Sequence, residues 1–272
     1  MKVSQLYIYP IKSLGGIALS SVNITDKGFE YDRRWMLIDE NRRFISQREI
    51  AEMCLLKVEL SEDGIQVHHT ENPADKLTFT YQTTLTENIE VQVWDDTCIA
   101  NPVSKEADDW FSKKLNFPCR LVALKEDFRR LLDPNYNIND SITGFADGFP
   151  ILLISEASLS DLNQKSSEAI PMNRFRPNLV IDGSLPFEED RMKEFTINGI
   201  LFYGVKPCAR CVITTINQDS AFKGKEPLKT LATYRNKNNK IYFGENVITE
   251  GKGSISVGDT VSILETKESL FQ

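Results

Sequence analysis

The first hundred residues alternate apolar and polar positions over short stretches. Leu6 and Ile8 flank Tyr7, and Ile17-Ala18-Leu19 and Val22-Asn23-Ile24 follow the loop from Pro10 to Gly16, ahead of a turn at Asp26-Lys27-Gly28. A period of two places successive side chains on opposite faces of a strand. The same pattern predicts a strand over 33–39, a hairpin through Glu40-Asn41-Arg42 into Phe44-Ile45-Ser46-Gln47, and further strands at 55–60, 65–69, 77–81 and 89–94. Short strands in series with turns between them predict a barrel or sandwich.

The period then changes. Ala107, Trp110, Phe111 and Leu115 recur at helical spacing behind Ser104, a residue suited to cap a helix. Residues 119–124 return to strand. The stretch from Glu126 to Phe149 is polar and turn-rich, which predicts a long loop able to cover a site and a domain boundary at its start. Beyond it we expect a buried strand at 150–154, a helix capped by Ser155, a strand at 179–181 and a hairpin turning at Asn198-Gly199. A short helix over 227–234, a strand over 241–248 and a closing turn and strand over 255–261 follow. The fold class is therefore mainly β with several helices (α+β), in two domains, 1–125 and 126–272, the first β-barrel-like.

The totals narrow the function. A formal charge of −7 over 272 residues excludes a global basic field for nucleic acid. No run of about 18 apolar residues and no signal-peptide h-region is present, so a soluble, cytoplasmic protein without a membrane segment is expected. Five scattered cysteines suit a reducing compartment rather than a disulfide framework. His68 and His69 are the two histidines and share a strand, where they face opposite ways, so a triad is disfavoured. Neither nucleotide phosphate-loop motif occurs.

Candidate chemistry centres on Lys206 to Thr215, a basic, proline-stiffened turn holding Cys208 and Cys211. Thiolate is a soft ligand for transition metals, and the adjoining Arg210 favours the thiolate. A thioredoxin-type pair opens a helix, whereas Val212-Ile213-Thr214-Thr215-Ile216 is a β-branched run that predicts a strand. A zinc ribbon lacks its second pair. Two buried structural cysteines remain the alternative. Upstream, Arg174-Phe175-Arg176 before a strand can form a phosphate fork with a stacking surface, or can be ordinary surface arginines.

Several motifs together resemble a known family. Tyr9-Pro10-Ile11-Lys12-Ser13, Asp32-Arg33-Arg34-Trp35, Asn173 to Asn178 and Pro207-Cys208-Ala209-Arg210-Cys211 occur in the order seen in the MOSC family, in the branch with an N-terminal β-barrel domain that includes the amidoxime-reducing components. The resemblance implies an N-terminal MOSC β-barrel domain followed by a β-barrel MOSC domain that binds the molybdenum cofactor (Mo-molybdopterin). It implies Cys211 as the metal ligand and catalytic residue. Lys12, Ser13, Arg33, Arg176, Asn178 and Arg210 would be cofactor-binding, in a site between the domains. The implied activity is reduction of small-molecule N-hydroxylated compounds, with electrons from a separate ferredoxin-, flavodoxin- or cytochrome b5-like protein and its reductase. A non-catalytic carrier or sulfur-delivery module is the alternative. Ala209, Gly148, Phe149 and Asn246 depart from residues that relatives carry, which bears on pocket shape.

Overall fold

The structure, a computed structural model, describes residues 1–82 and 85–271. Strands dominate it, and three α-helices are present among the described residues: α1 (Lys105–Leu115), α2 (Glu156–Lys165) and α3 (Leu228–Leu231). This is the mainly β, α+β class that the alternation predicts.

The largest sheet has nine strands. Its order runs Ile17–Leu19, Lys2–Ile8, Leu179–Asp182, Ile151–Ser155, Lys240–Glu250, Ile200–Ala209, Met192–Ile197, Val261–Thr266, with Asn236–Lys237 paired beside Lys240–Glu250. Ile151–Ser155 is buried at every position, and it runs parallel to Leu179–Asp182 because α2 makes the crossover between them. The Ser155 hydroxyl accepts from the Ser158 amide at 3.0 Å and caps α2, as expected. Asn198 and Gly199 have φ of 48° and 76°, the pair of positive angles a tight hairpin turn requires, so the strand beginning at Ile200 is delivered in register toward the cysteines.

The first half contains a four-stranded sheet, in the order Trp35–Ile38, Arg120–Leu124, Asp96–Pro102, Ile89–Val93, and a meander of Leu56–Leu60, Gly64–His69 and Asn72–Thr80. Helix α1 lays Ala107, Phe111 and Leu115 into the core beneath these sheets. Ser104 accepts from the Ala107 amide at 3.1 Å to start the helix. Phe111 is fully buried, a contribution of roughly 1.5–3 kcal/mol for a side chain of this kind.

Sheet and core both cross the division near residue 125. Lys2–Ile8 pairs with Leu179–Asp182, Ser21–Thr25 pairs with Gly253–Ser256, and Val3, Leu6, Ile8, Val22, Ile24 and Phe29 pack with Phe195, Phe202 and Val247 in one core.

Four local expectations are corrected. Regular pairing of the strand expected over 33–39 starts only at Trp35, because Arg33 adopts a left-handed φ of 47°. Phe44 bridges Ile38, but the chain then leaves the sheet instead of completing a hairpin strand through Gln47. Asp96–Pro102 is a strand the alternation hides, since its inward positions include the small Cys98 and Ala100. Val212–Thr215 is a 3-10 turn rather than a strand; the buried Arg174 side chain donates to Thr214 O at 2.7 Å and to Glu226 O at 2.6 Å, and these tertiary bonds override β-branched propensity.

Candidate functional site

Tyr9 follows directly on the first strand, and its ring is buried. The guanidinium carbons of Arg33 and Arg176 each lie 4.2 Å from its centroid, within cation–π range. Gly16 is packed so close that a β-carbon there would fall 2.4 Å from Tyr9 Cε1, so the loop after Lys12 depends on glycine. Ser13, Arg33 and Arg176 all have left-handed φ, at 68°, 47° and 55°. Such angles in side-chain-bearing residues persist where the surroundings impose them, and they gather at functional sites. Burial pulls Arg176 down to about 10, which leaves it protonated at neutral pH.

Arg33 is held by its neighbours. Its Nη1 donates to both Asp32 carboxylate oxygens, at 2.7 and 2.8 Å, and to Asn178 Oδ1 at 3.0 Å. Asp32 is itself buried and accepts from the Tyr9 amide at 2.8 Å. Asn178 Oδ1 also accepts from the Leu152 amide at 3.2 Å, and its Nδ2 donates to Tyr7 O. Most of the capacity of the Asn178 side chain is therefore spent within the protein.

Lys12 is buried, and its ammonium donates to Phe145 O at 2.7 Å and to Asp147 at 2.5 Å. Burial pulls Lys12 down, against the pull of Asp147. Asp147 comes from the long polar loop, so that loop does reach the site. The Asp147 side chain is 59% exposed, and Lys12, Arg48 and the Trp94 indole outweigh the partial loss of solvent and hold the carboxyl below the usual range. Arg48 lies 3.6 Å from Asp147 and 4.6 Å from the Trp94 ring, and its Nη2 is 3.4 Å from Cys211 Sγ.

The strand Ile200–Ala209 carries the other wall. It passes Pro207 at a register shift, a position where a missing amide is tolerated, and ends one residue before Arg210, so the expected turn begins later than the proline implied. Arg210 donates to Cys208 Sγ at 2.9 Å and to Phe175 O at 2.6 Å, while its Nε is buried without a partner. Burial pushes the Cys208 thiol up despite Arg210. Cys211, half-buried, opens the 3-10 turn. The walls enclose a cavity of about 330 Å³.

All seven residues singled out in the sequence line this one cavity: Lys12, Ser13, Arg33, Arg176, Asn178, Arg210 and Cys211. So do the four departures, Ala209, Gly148, Phe149 and Asn246. Seven of the lining side chains are basic and one, Asp147, is acidic. The phosphate fork does not form: Arg174 turns away to brace the 3-10 turn, and Phe175 stacks on Phe243 at 4.3 Å in the core. His68 lies outside the cavity, in the meander. Sequence reasoning missed Arg48 and Trp94, and took Lys206 only as part of the basic cysteine turn. Arg48 sits in Ser46-Gln47-Arg48-Glu49, where Ser46 bonds Glu49 at 2.6 Å, a capping-like spacing that marks a turn but not its direction.

A strand-rich fold whose two halves meet at a cationic cavity with two cysteines in its wall is that of a MOSC-type protein. Residues 1–118 match the MOSC N-terminal beta barrel domain and residues 140–262 the MOSC domain. The chain is 30% identical over 280 residues to the mitochondrial amidoxime-reducing component 1 of Mus musculus, covering 96% of this chain and 82% of that protein. It is equally similar, 30% over 287 residues, to the component 1 of Homo sapiens. It is also 33% identical over 264 residues to the molybdenum cofactor sulfurase of Oryza sativa subsp. japonica, but spans only 32% of that longer protein. This chain belongs to the MOSC family.

Proposed function

We propose that this protein holds the molybdenum cofactor of its family in the cavity between its halves, with Cys211 as the protein ligand of the metal, and reduces N-hydroxylated compounds. The observation that carries the reading is a cavity lined by seven basic side chains and one acidic one, with the half-buried Cys211 thiol in its wall. The Arg176 guanidinium has no hydrogen-bond or ion-pair partner among the described residues, its backbone alone being bonded, and Arg210 Nε is a buried donor without an acceptor. A bound anion with oxygen acceptors satisfies both. Among the described residues no three His, Cys, Asp or Glu side chains converge; Arg210 sits on Cys208 Sγ at 2.9 Å, while Cys211 Sγ has only the longer 3.4 Å contact to Arg48 and is the thiol better placed to meet a metal that brings its other sulfur ligands with it.

The residues present fit that group. Lys12, Ser13, Arg33, Arg176 and Asn178 form the side that meets the pterin and its phosphate, and Arg210 braces the cysteine strand. The cofactor supplies a two-electron metal centre when bound. Arg48 spans Cys211 and Asp147 and places a positive charge beside the cysteine sulfur. Lys206 lies 4.1 Å from the Tyr136 ring, in a wall it shares with Phe149, and orients substrate at the entrance. Overall, the N–O bond breaks, two electrons and two protons enter, and the oxygen leaves as water. The electrons come from a separate ferredoxin-, flavodoxin- or cytochrome b5-like protein and its reductase. Five free cysteines suit a cytoplasmic, reducing setting, and no helix among the described residues is long and apolar enough to cross a membrane.

Molybdenum and pterin analysis of wild type and Cys211→Ala, purified from a cofactor-producing host, tests the site. Near-stoichiometric metal in the wild type, lost in the variant, is expected, together with benzamidoxime reduction driven by reduced methyl viologen. Metal-free, well-folded wild type would sink the reading. The likeness to a cofactor sulfurase favours a second reading, a carrier or sulfur-delivery module. It predicts bound cofactor with no viologen-driven turnover.

A further inference from the structure

Between Lys206 and Lys240 eight basic residues stand against two acidic ones, in a chain whose net charge is −7. This segment begins in the cavity wall and includes Cys211. Just past Cys211 the surface is both apolar and cationic. Val212 is 55% exposed and Phe222 is 71% exposed. The Thr215 hydroxyl bonds back to Val212 O at 2.8 Å, the Thr215 carbonyl accepts from Gly224 N, and the Phe222 ring edge would lie 4.0 Å from a β-carbon at Gly224. The two exposed side chains are thus carried on one compact unit, the 3-10 turn and the loop closed by the Ile216–Lys223 bridge. Lys223 donates to Arg48 O at 3.1 Å, which ties that loop to the residue beside Cys211. Lys225 is exposed, and the Lys229 amide bonds its carbonyl, one turn further along the same rim.

We infer that this rim, with Val212 and Phe222 at its centre and Lys223, Lys225 and Lys229 at its edge, docks the electron donor, an acidic electron-transfer protein. The inference rests on the reductase reading and specifies its partner surface. Small interfaces with an apolar centre and opposite charge around it are characteristic of transient redox encounters, and they act on the association rate at low salt. The rim is also a direct route to the metal ligand, since Val212 is the next residue after Cys211. The remaining surface, on balance acidic, repels the same partner.

The test titrates three oxidised acidic carriers, a [2Fe–2S] ferredoxin, a flavodoxin and a soluble cytochrome b5 domain, into the purified protein by calorimetry at low ionic strength. The variants are K225E/K229E, F222A and a control of equal charge change, K76E/K113E, on exposed lysines outside the rim. At least one carrier binds wild type, K225E/K229E weakens it about tenfold or more, F222A weakens it several-fold, and the control stays within about twofold. Binding of none of the three, or equal weakening by the control, overturns the proposal. Viologen-driven benzamidoxime turnover is measured alongside. Its absence in wild type defeats the reductase reading without altering the binding result, whereas turnover retained in K225E/K229E with carrier-driven rate lost supports docking at the rim.

Discussion

The two walls of the cavity use the same kinds of residue in different ways. The wall built mainly by the first half is saturated: Lys12 is bonded to Asp147 and Phe145, and Arg33 to Asp32 and Asn178. The cysteine wall is left open, with a half-buried Cys211 thiol and an orphaned Arg210 Nε. A saturated wall is fixed before any ligand arrives, and an open wall keeps its bonding capacity for the ligand. Affinity then arises on a frame that needs no reordering.

Removing Asp32 breaks the first wall most severely. Asp32→Ala leaves the half-buried Arg33 without its carboxylate and the buried Tyr9 amide without its acceptor. We expect a loss of roughly 3–5 kcal/mol, read by chemical denaturation. Loss under about 1 kcal/mol would mean that the wall is not held by this pair.

The cysteine wall rests on a different device. Glu245 pairs across from Pro207, is fully buried, and is bonded to Lys267 at 2.5 Å, while one of its oxygens has no partner. Burial pushes it up to about 8 from an ordinary 4.5, with Lys267 opposing. Between those values the folded protein holds a proton that the unfolded chain has released. Stability therefore declines as pH rises from about 4.5 to 8. Glu245→Gln flattens that decline, which denaturation curves at a series of pH values would reveal; an unchanged slope would assign it to other groups.

The smallest effect sharpens the contrast within the cysteine wall itself. Because burial pushes the Cys208 thiol up, iodoacetamide at neutral pH labels Cys211 several-fold faster in cofactor-free protein. Equal rates, measured by peptide mass spectrometry, would remove the distinction between the two thiols.

Much of this was legible in the sequence, and the reasons differ from place to place. The Ser104 and Ser155 caps and the Asn198-Gly199 turn are local, and each could be read from a few residues. Seven candidate residues could be named because the motifs that carry them resemble those of a known family, and the structure places all seven along one cavity, with left-handed angles at Ser13, Arg33 and Arg176. What was not legible is what neighbours decide. Arg174 looks no different from Arg176 along the chain, yet one braces the 3-10 turn and the other faces the cavity. Arg48 is brought to Cys211 across 163 positions. Asp96–Pro102 escaped because small inward side chains give little hydrophobic contrast.

The pairing of Lys2–Ile8 with Leu179–Asp182 has a consequence for biogenesis. On the ribosome the first strand emerges long before its partner exists. At about 5–20 residues per second, roughly 10–35 s pass before the partner is made. Through that interval Val3, Leu6 and Ile8 have only the short strand Ile17–Leu19 beside them, and the core they complete must wait for the distal part of the chain. The cavity, lined from both halves, can take shape only once the distal strands have been made.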